Sequence, residues 1–380
     1  MIAVVGAGLM GAATAWQLAR QGHEVTLIEA YDIGHKYGSS HGSSRIYRRA
    51  YADPLYVRLT GEARELWQEL ERDTGTQLLR LTGGLDFGAS RDPEGIADIL
   101  AAAAVPHELL TAAEATERWP QFRFGGPVLH HPDAGTVDAD ATVAAAVHRA
   151  AELGARVLTG VRVTGAETRN DGRVALSSEG PTVVADTVAI ASGAWLPRLA
   201  APLGILTPLP PLRVTQQQVF HFRRRDPGAT TWPVFVHKDE LSLYGLPSGS
   251  DGGPLPAFKV AQHDEGAPTT ADTRTGTIDP ASRDKVTAWV ARTLPGLDPT
   301  PVAEASCLYT TTPDEDFVLD RTGPFVVVSP CSGHGAKFTP LIGRMAADLA
   351  LGRTEPHPRF ALGRSPRTRN SRQTHAHQAE

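Results

Sequence analysis

The segment Ile2-Ala-Val-Val-Gly6-Ala-Gly8-Leu-Met-Gly11 constrains this chain more than any other. A short, fully apolar run stops at glycines spaced Gly-x-Gly-x-x-Gly, and residues 12–20 continue with an apolar helical pattern. A second apolar run, Val25–Ile28, ends on Glu29. Strand, tight turn, helix and strand in that order open a parallel α/β unit. Within it, Gly6 permits the turn, Gly8 lets backbone amides approach a pyrophosphate, and Gly11 lets helix and strand pack closely. The helix N-terminus favours the phosphate charge. Glu29 stands where a carboxylate accepts hydrogen bonds from adenosine ribose hydroxyls, and an acid there disfavours the 2′-phosphate of NADP. The turn points to a dinucleotide without separating FAD from NAD. An NAD-dependent hydroxyacyl dehydrogenase fits it as well.

Farther along, residues 55–72 carry apolar side chains at helical spacing. Gly84–Phe87 reads as a strand, residues 96–104 and 112–119 as helices, and Asp138 as the N-cap of an alanine-rich helix to residue 153. Residues 156–158 and 187–191 return to buried strands. Between residues 208 and 258, alternating segments separated by Pro, Gly and Asp clusters predict an antiparallel sheet. A helix over 281–294, strands over 303–308 and 325–328 and a closing helix over 333–351 complete the pattern, and no internal repeat is found. At 380 residues and 41% hydrophobic composition the chain can bury a large core, and its formal charge of -5 gives no reason to expect nucleic acid. Cys307 and Cys331, its two cysteines, are too few for a disulfide scaffold and fit a reducing cytoplasm. No signal-peptide pattern and no membrane-length apolar run are found, so a soluble cytoplasmic protein is expected.

Residues 35–49, HKYGSSHGSSRIYRR, place glycines, serines, histidines and arginines where a plain NAD fold has a crossover helix. Such a loop suits a flavin pyrophosphate and ring, with cations steadying the charge that reduction adds. Taken alone, it also reads as a solvated basic loop.

The resemblance becomes specific once the motifs are taken together: GAGLMG with LIEA, SSHGSSRIYRRAY, LYGLPS and FKVAQH, then SCLYTTTPDEDFVLD and CSGHGAKF. The sequence resembles the monomeric sarcosine oxidase and N-methyltryptophan oxidase family, among the D-amino-acid-oxidase-like flavoproteins, over all but its last residues. That resemblance implies FAD held by Gly6, Gly8, Gly11, Glu29, Ser40, His41, Ser44, Arg45, Val163, Gly333, Gly335 and Lys337, with Cys307 joined as a thioether to the flavin 8α carbon. It implies that Arg48 and Lys337 clasp a substrate carboxylate, Arg as a planar fork and Lys as a point charge. Lys259 matches a lysine that aids the reaction with oxygen through its fixed positive charge. His41 and Arg45 match residues near the flavin ring, and Tyr244, His263 and Tyr309 match residues of the substrate pocket. The segment Ser332-Gly-His-Gly335 is expected to open the last helix and aim its positive end at the flavin, with no catalytic role for His334. Read without the resemblance, Cys307 is a small buried hydrophobe, Arg48 a loop arginine, Lys337 a first-turn helix residue and Lys259 a strand residue facing solvent. Ser43-Ser44 and Tyr47-Arg48-Arg49 depart from the family pattern, which bears on the substrate rather than the chemistry.

The expected architecture is therefore α/β (α+β overall): a Rossmann-like FAD-binding domain over 1–82, 138–207 and 300–363, interleaved with an antiparallel-sheet substrate domain over 83–137 and 208–299, and a disordered tail over 364–380. The expected activity is oxidation of the C–N bond of an N-methyl or cyclic amino acid to an imine, with molecular oxygen reduced to hydrogen peroxide. The partners expected are that small amino acid and oxygen, with no nucleic acid, membrane or metal, and the enzyme is expected to be a monomer. Rival readings are a flavin dehydrogenase with another acceptor, the NAD-dependent enzyme, and a non-catalytic FAD-binding protein.

Overall fold

The computed structural model describes residues 1–226, 228, 231–263 and 266–365. Its first sheet has six strands in the order Val318–Thr322, Phe325–Ser329, Thr187–Ile190, Ile2–Val5, Val25–Ile28 and Arg156–Leu158. All neighbours are parallel except the hairpin formed by the first two. Alternation along each strand divides the side chains between two cores. Ile2, Val4, Val25, Leu27, Ala189, Val326 and Val328 face the helices Leu9–Ala19, Pro54–Thr74, Ala139–Glu152 and Thr339–Ala350. Ala3, Val5, Ile28, Val188, Ile190 and Val327 face a three-stranded meander of Val163–Thr168, Val174–Ser178 and Val183–Ala185. A sheet buried on both faces reads as continuous apolar runs, as these short strands do.

The helices begin where the sequence supplies a cap. Asp53 accepts from the Leu55 amide ahead of Pro54, and Gly75 ends that helix at φ 67°. Asp138 accepts from Ala141 in the same way. The last helix differs from expectation: it begins at Thr339 rather than at residue 333, with Pro340 in its first turn and a separate 3₁₀ turn, Gly335–Phe338, before it. Ser332 at φ 46° and Gly333 at φ 72° are left-handed, which breaks any helix there.

The largest sheet is built on two long antiparallel strands, Arg213–Arg224 and Leu297–Thr311. Ala257–Gln262, Ser242–Pro247, Val234–Lys238, Gly84–Phe87, Val128–His131 and Glu108–Leu110 extend it. It is mixed rather than antiparallel, because Gly84–Phe87 runs parallel to Val234–Lys238. Phe220, Phe222, Phe235 and Phe258 fill its face against Trp289 of the helix Pro280–Thr293. The expected domain boundary at residue 300 falls inside the strand Leu297–Thr311. A smaller sheet pairs Arg45–Arg48 and Leu79–Leu81 with Ala134–Val137. At the C-terminus, Arg364 is fixed by a two-pronged pair with Asp314 at 3.1 and 3.0 Å, so the tail cannot begin at 364. Its remaining positions, 366–380, lie outside the described residues. Among the described residues no helix is long and apolar enough to cross a membrane.

Candidate active site

A cavity of about 1470 Å³ runs from the glycine turn, past the loop over residues 34–46, to the turn at Gly333. That exceeds the roughly 300–1,000 Å³ of an ordinary small-ligand pocket. Every expected site residue lines it except Gly11. Gly11 acts from behind, since a Cβ there would stand 1.7 Å from the Gly6 carbonyl oxygen. At Gly8 a Cβ would meet Ser40 Oγ at 2.7 Å, so backbone lies open where a phosphate would approach.

Glu29 is buried and accepts from the Ala7 amide at 2.7 Å and the Tyr31 amide at 3.1 Å, with His35 Nε2 at 3.4 Å. Burial alone would raise its pKa, but hydrogen bonds from His35 and Ala7 outweigh that and hold it below the usual range. It is thus a carboxylate fixed beside the turn. Tyr31, Tyr37 and Trp195 cluster at this end, with ring centroids 4.6 and 5.9 Å from Tyr31. Tyr37 lies within the loop over residues 35–49, whereas nothing in the local sequence marked Tyr31 or Trp195.

FAD fits this cavity by an independent sign: His41 Nε2, Ser44 Oγ and Ser192 Oγ are buried against it without a hydrogen-bond partner. Such atoms are costly unless a ligand satisfies them. Burial, with the Arg45 charge beside it, pushes His41 down to about 3, so its ring is neutral. Arg45 spends its donors on the carbonyls of Ser44, Ser39 and His41. Val163 closes one wall, and Cys307 shows a free thiol to the cavity from the long strand Leu297–Thr311. Burial pushes that thiol up, although Arg45 and Lys259 oppose it.

Arg48 comes from the strand Arg45–Arg48 rather than from a loop, and Lys337 from the 3₁₀ turn packed against that strand rather than from a helix. The Arg48 guanidinium lies 4.1 Å from the Tyr51 ring centre and donates to the Ala50 carbonyl. Lys337 is 2% exposed, donates to the His334 carbonyl at 2.7 Å and stands 5.7 Å from the same Tyr51 ring. Among the described residues neither cation has a carboxylate within ion-pair distance. Burial first, and then the Arg48 charge, push Lys337 well below the usual lysine range. Arg91 supports the pair from outside: it donates to Asp86 at 2.6 Å and to the Ala50 carbonyl at 2.9 Å. Arg91 and Asp86 escaped the sequence reading, whereas Tyr51 lies within the motif SSHGSSRIYRRAY.

Lys259 does not face solvent. It is 3% exposed and pairs with Asp251 at 2.6 Å. At the sheet that carries Lys259 the Tyr309 and His263 rings lie 5.6 Å apart, and Tyr244 joins them on the cavity wall. Burial pushes both phenols up, Tyr244 to about 12. Gly333 must be glycine for the turn to pass beneath them, because a Cβ would stand 2.4 Å from the Tyr309 ring. Gly335 is equally tight, 1.7 Å from the Pro330 carbonyl oxygen. His334 accepts from or donates to Tyr51 Oη at 3.2 Å and meets the Glu315 carbonyl at 3.0 Å. The carbonyl requires N–H on Nε2, which leaves Nδ1 to accept from Tyr51 in the neutral ring. Of the residues that depart from the family pattern, Tyr47 is in the core, its hydroxyl on the Thr60 carbonyl at 3.0 Å, and Arg49 faces Asp133 at 3.6 Å.

Comparison with known proteins agrees with this geometry. The family described as FAD dependent oxidoreductase matches residues 1–349. Human peroxisomal sarcosine oxidase is 32% identical, over 96% of this chain and 95% of that protein. Monomeric sarcosine oxidase of Streptomyces avermitilis is 35% identical, over 94% and 95% respectively. Among solved structures, NikD, described as an unusual amino acid oxidase essential for nikkomycin biosynthesis, superposes with a TM-score of 0.83 at 28% identity, covering 97% of this chain and 99% of its own.

Proposed function

Because the chain belongs to the family of FAD dependent oxidoreductases, we propose that it oxidises the C–N bond of a small secondary amino acid, N-methyl or cyclic, to the imine. The family sets aside the nicotinamide alternative that the glycine turn leaves open. The reading is carried by one observation: Lys337, buried, and Arg48, half-buried beside it, face the cavity with no carboxylate partner among the described residues. An uncompensated buried charge costs several kcal/mol. A substrate carboxylate is the partner that removes this cost. Arg48 offers a planar fork and Lys337 a point charge, and together they fix the amino acid in one orientation.

FAD, when bound, supplies the two-electron acceptor. Glu29 would hold the ribose, the Gly6-to-Gly11 turn the pyrophosphate, and Ser40, Ser44, His41 and Arg45 the remainder. Tyr244, His263 and Tyr309 wall the substrate side and exclude water. Lys259 keeps a positive charge beside the cofactor, which favours electron transfer to oxygen. The two electrons and two protons that the amine loses in becoming the imine would balance the reduction of oxygen to hydrogen peroxide, and the imine leaves and hydrolyses, or persists if cyclic. Cys307 is the residue that would carry the cofactor as a thioether; acid precipitation should then leave the yellow colour with the protein. In this reading the protein is a soluble cytoplasmic monomer.

The test is a peroxide-release screen over N-methyl and cyclic amino acids beside the absorption spectrum. Peroxide with one or more of them supports the proposal. Bleaching under anaerobic conditions without peroxide in air would instead mark a dehydrogenase, and no bleaching with any would remove the proposed chemistry.

A further inference from the structure

Lys259 does not stand alone on the cavity wall. Its ammonium donates to Asp251 Oδ2 at 2.6 Å and to the Ser44 carbonyl at 3.1 Å. Asp251 sits on the short turn Ser250–Gly252, which docks on the loop carrying His41 and Arg45. Ser43 Oγ donates to Asp251 Oδ1 at 2.8 Å and accepts from the Asp251 amide at 3.0 Å. The contact is close from both sides. A Cβ on Gly249 would stand 2.3 Å from Ser43 Oγ, and one on Gly42, whose φ is +100°, 3.2 Å from Asp251 Oδ2.

Burial at 3% exposure works against an ammonium at this position. The groups facing it are Arg45 and His41 from the loop, His221 from the neighbouring strand Arg213–Arg224, Cys307 from the strand Leu297–Thr311, and Asp251. Arg45 repels it. His41 and His221 are neutral, held by burial at about 3 and about 4, and the buried Cys307 thiol is pushed up and uncharged. Of these groups Asp251 supplies the negative charge.

We propose that Asp251 is a positioning residue for the oxygen half-reaction, holding the Lys259 ammonium charged and fixed against the Ser44 carbonyl beside the flavin. The proposal rests on the reading of Lys259 as the charge that favours oxygen. It makes the 250–252 turn and the 42–44 loop one unit: the segment that contacts the cofactor also carries the bond that orients the lysine's counter-ion.

The experiment compares the wild-type holoenzyme with D251N, D251E and K259M. Each is reduced anaerobically and mixed with oxygen across the pH range around the Lys259 value of about 8. In parallel, the affinity of each oxidised holoenzyme for sulfite, which reports positive charge near the flavin, is read from absorbance; comparison between variants cancels sulfite's own ionisation. The wild type should lose reoxidation rate and sulfite affinity as pH rises through one limb. In D251N, burial and Arg45 act unopposed, so Lys259 loses its proton earlier and the limb moves to lower pH by about one unit or more. D251E should retain most of the wild-type limb. K259M should be slow and show no limb. A D251N limb that coincides with the wild type, while K259M lacks one, overturns the role of Asp251 and leaves Lys259 standing. A K259M enzyme with the wild-type rate and limb overturns the reading of Lys259 and this proposal with it. Should D251N fail to accumulate as holoenzyme, S43A removes the Ser43 hydrogen bond and should move the limb in the same direction by less; an unmoved limb there counts against the proposal.

Discussion

Two lysines buried in the wall of one cavity have opposite electrostatic settings. Lys259 has a carboxylate at 2.6 Å, and although burial and Arg45 push it down, it is held at about 8. Lys337 has only a carbonyl and aromatic faces around it, with a second cation, Arg48, beside it; burial and that cation push it well below the usual lysine range with no carboxylate to oppose them. The difference separates a charge that must stay in place from one that waits for a partner. An ammonium with a resident counter-ion is a fixed part of the protein's field, whereas one without it is a docking point for an anion.

The comparison is easiest to break at the unpaired lysine. Lys337→Met should lower kcat/KM for an amino acid by about a hundredfold or more, because it leaves the substrate carboxylate facing a single cation. Steady-state kinetics checks this, and an unchanged value would place the carboxylate elsewhere. Lys259→Met should slow flavin reoxidation by about a hundredfold while sparing anaerobic reduction. Stopped-flow traces of the two half-reactions decide it, and equal loss of both would remove the distinction between the two lysines. Arg48→Lys retains the charge but loses the planar fork, so about a tenfold rise in KM is expected.

A smaller effect concerns protons. Lys337 has a pKa below the ordinary value because its charged form is disfavoured, and a bound carboxylate favours that form. Binding must therefore raise its pKa and take up a proton wherever the free site is partly neutral, so affinity falls as pH rises through the free-site value. Calorimetry in buffers of different ionisation enthalpy should show net uptake in the wild type and none in K337M. As a control away from both lysines, Tyr47→Phe removes the bond to the Thr60 carbonyl. It should cost about 1 kcal/mol of stability in denaturant unfolding and leave KM unchanged.

The glycine turn and its terminal acid were legible because their information is local. Gly6, Gly8, Gly11 and Glu29 lie within one βαβ start, and each meets a specific backbone demand. Arg48, Lys259, Cys307 and Lys337 come from separate segments, and their convergence rests on sheet pairings that no short window contains; motif resemblance brought them together before the fold did. Asp251 had no such signal. Ser-Gly-Ser-Asp-Gly-Gly reads as a surface turn, and its meaning appears only when that turn docks on Ser43. The helix expected from residue 333 was misplaced because apolar periodicity does not report the left-handed Ser332 and Gly333 or the stop that Pro340 imposes on the backward extension of the helix. The parallel pairing of Gly84–Phe87 with Val234–Lys238 was hidden for a similar reason, since a strand's sequence does not name its partner.

The central claim is that Arg48 and Lys337 wait for a carboxylate. Anaerobic bleaching of the holoenzyme by matched pairs, sarcosine against dimethylamine and proline against pyrrolidine, tests it most directly. The account predicts that at least one acid bleaches the protein rapidly, that its amine lacking the carboxylate does so far more slowly at the same concentration, and that K337M narrows this gap. Equal bleaching by acid and amine in the wild type would contradict it.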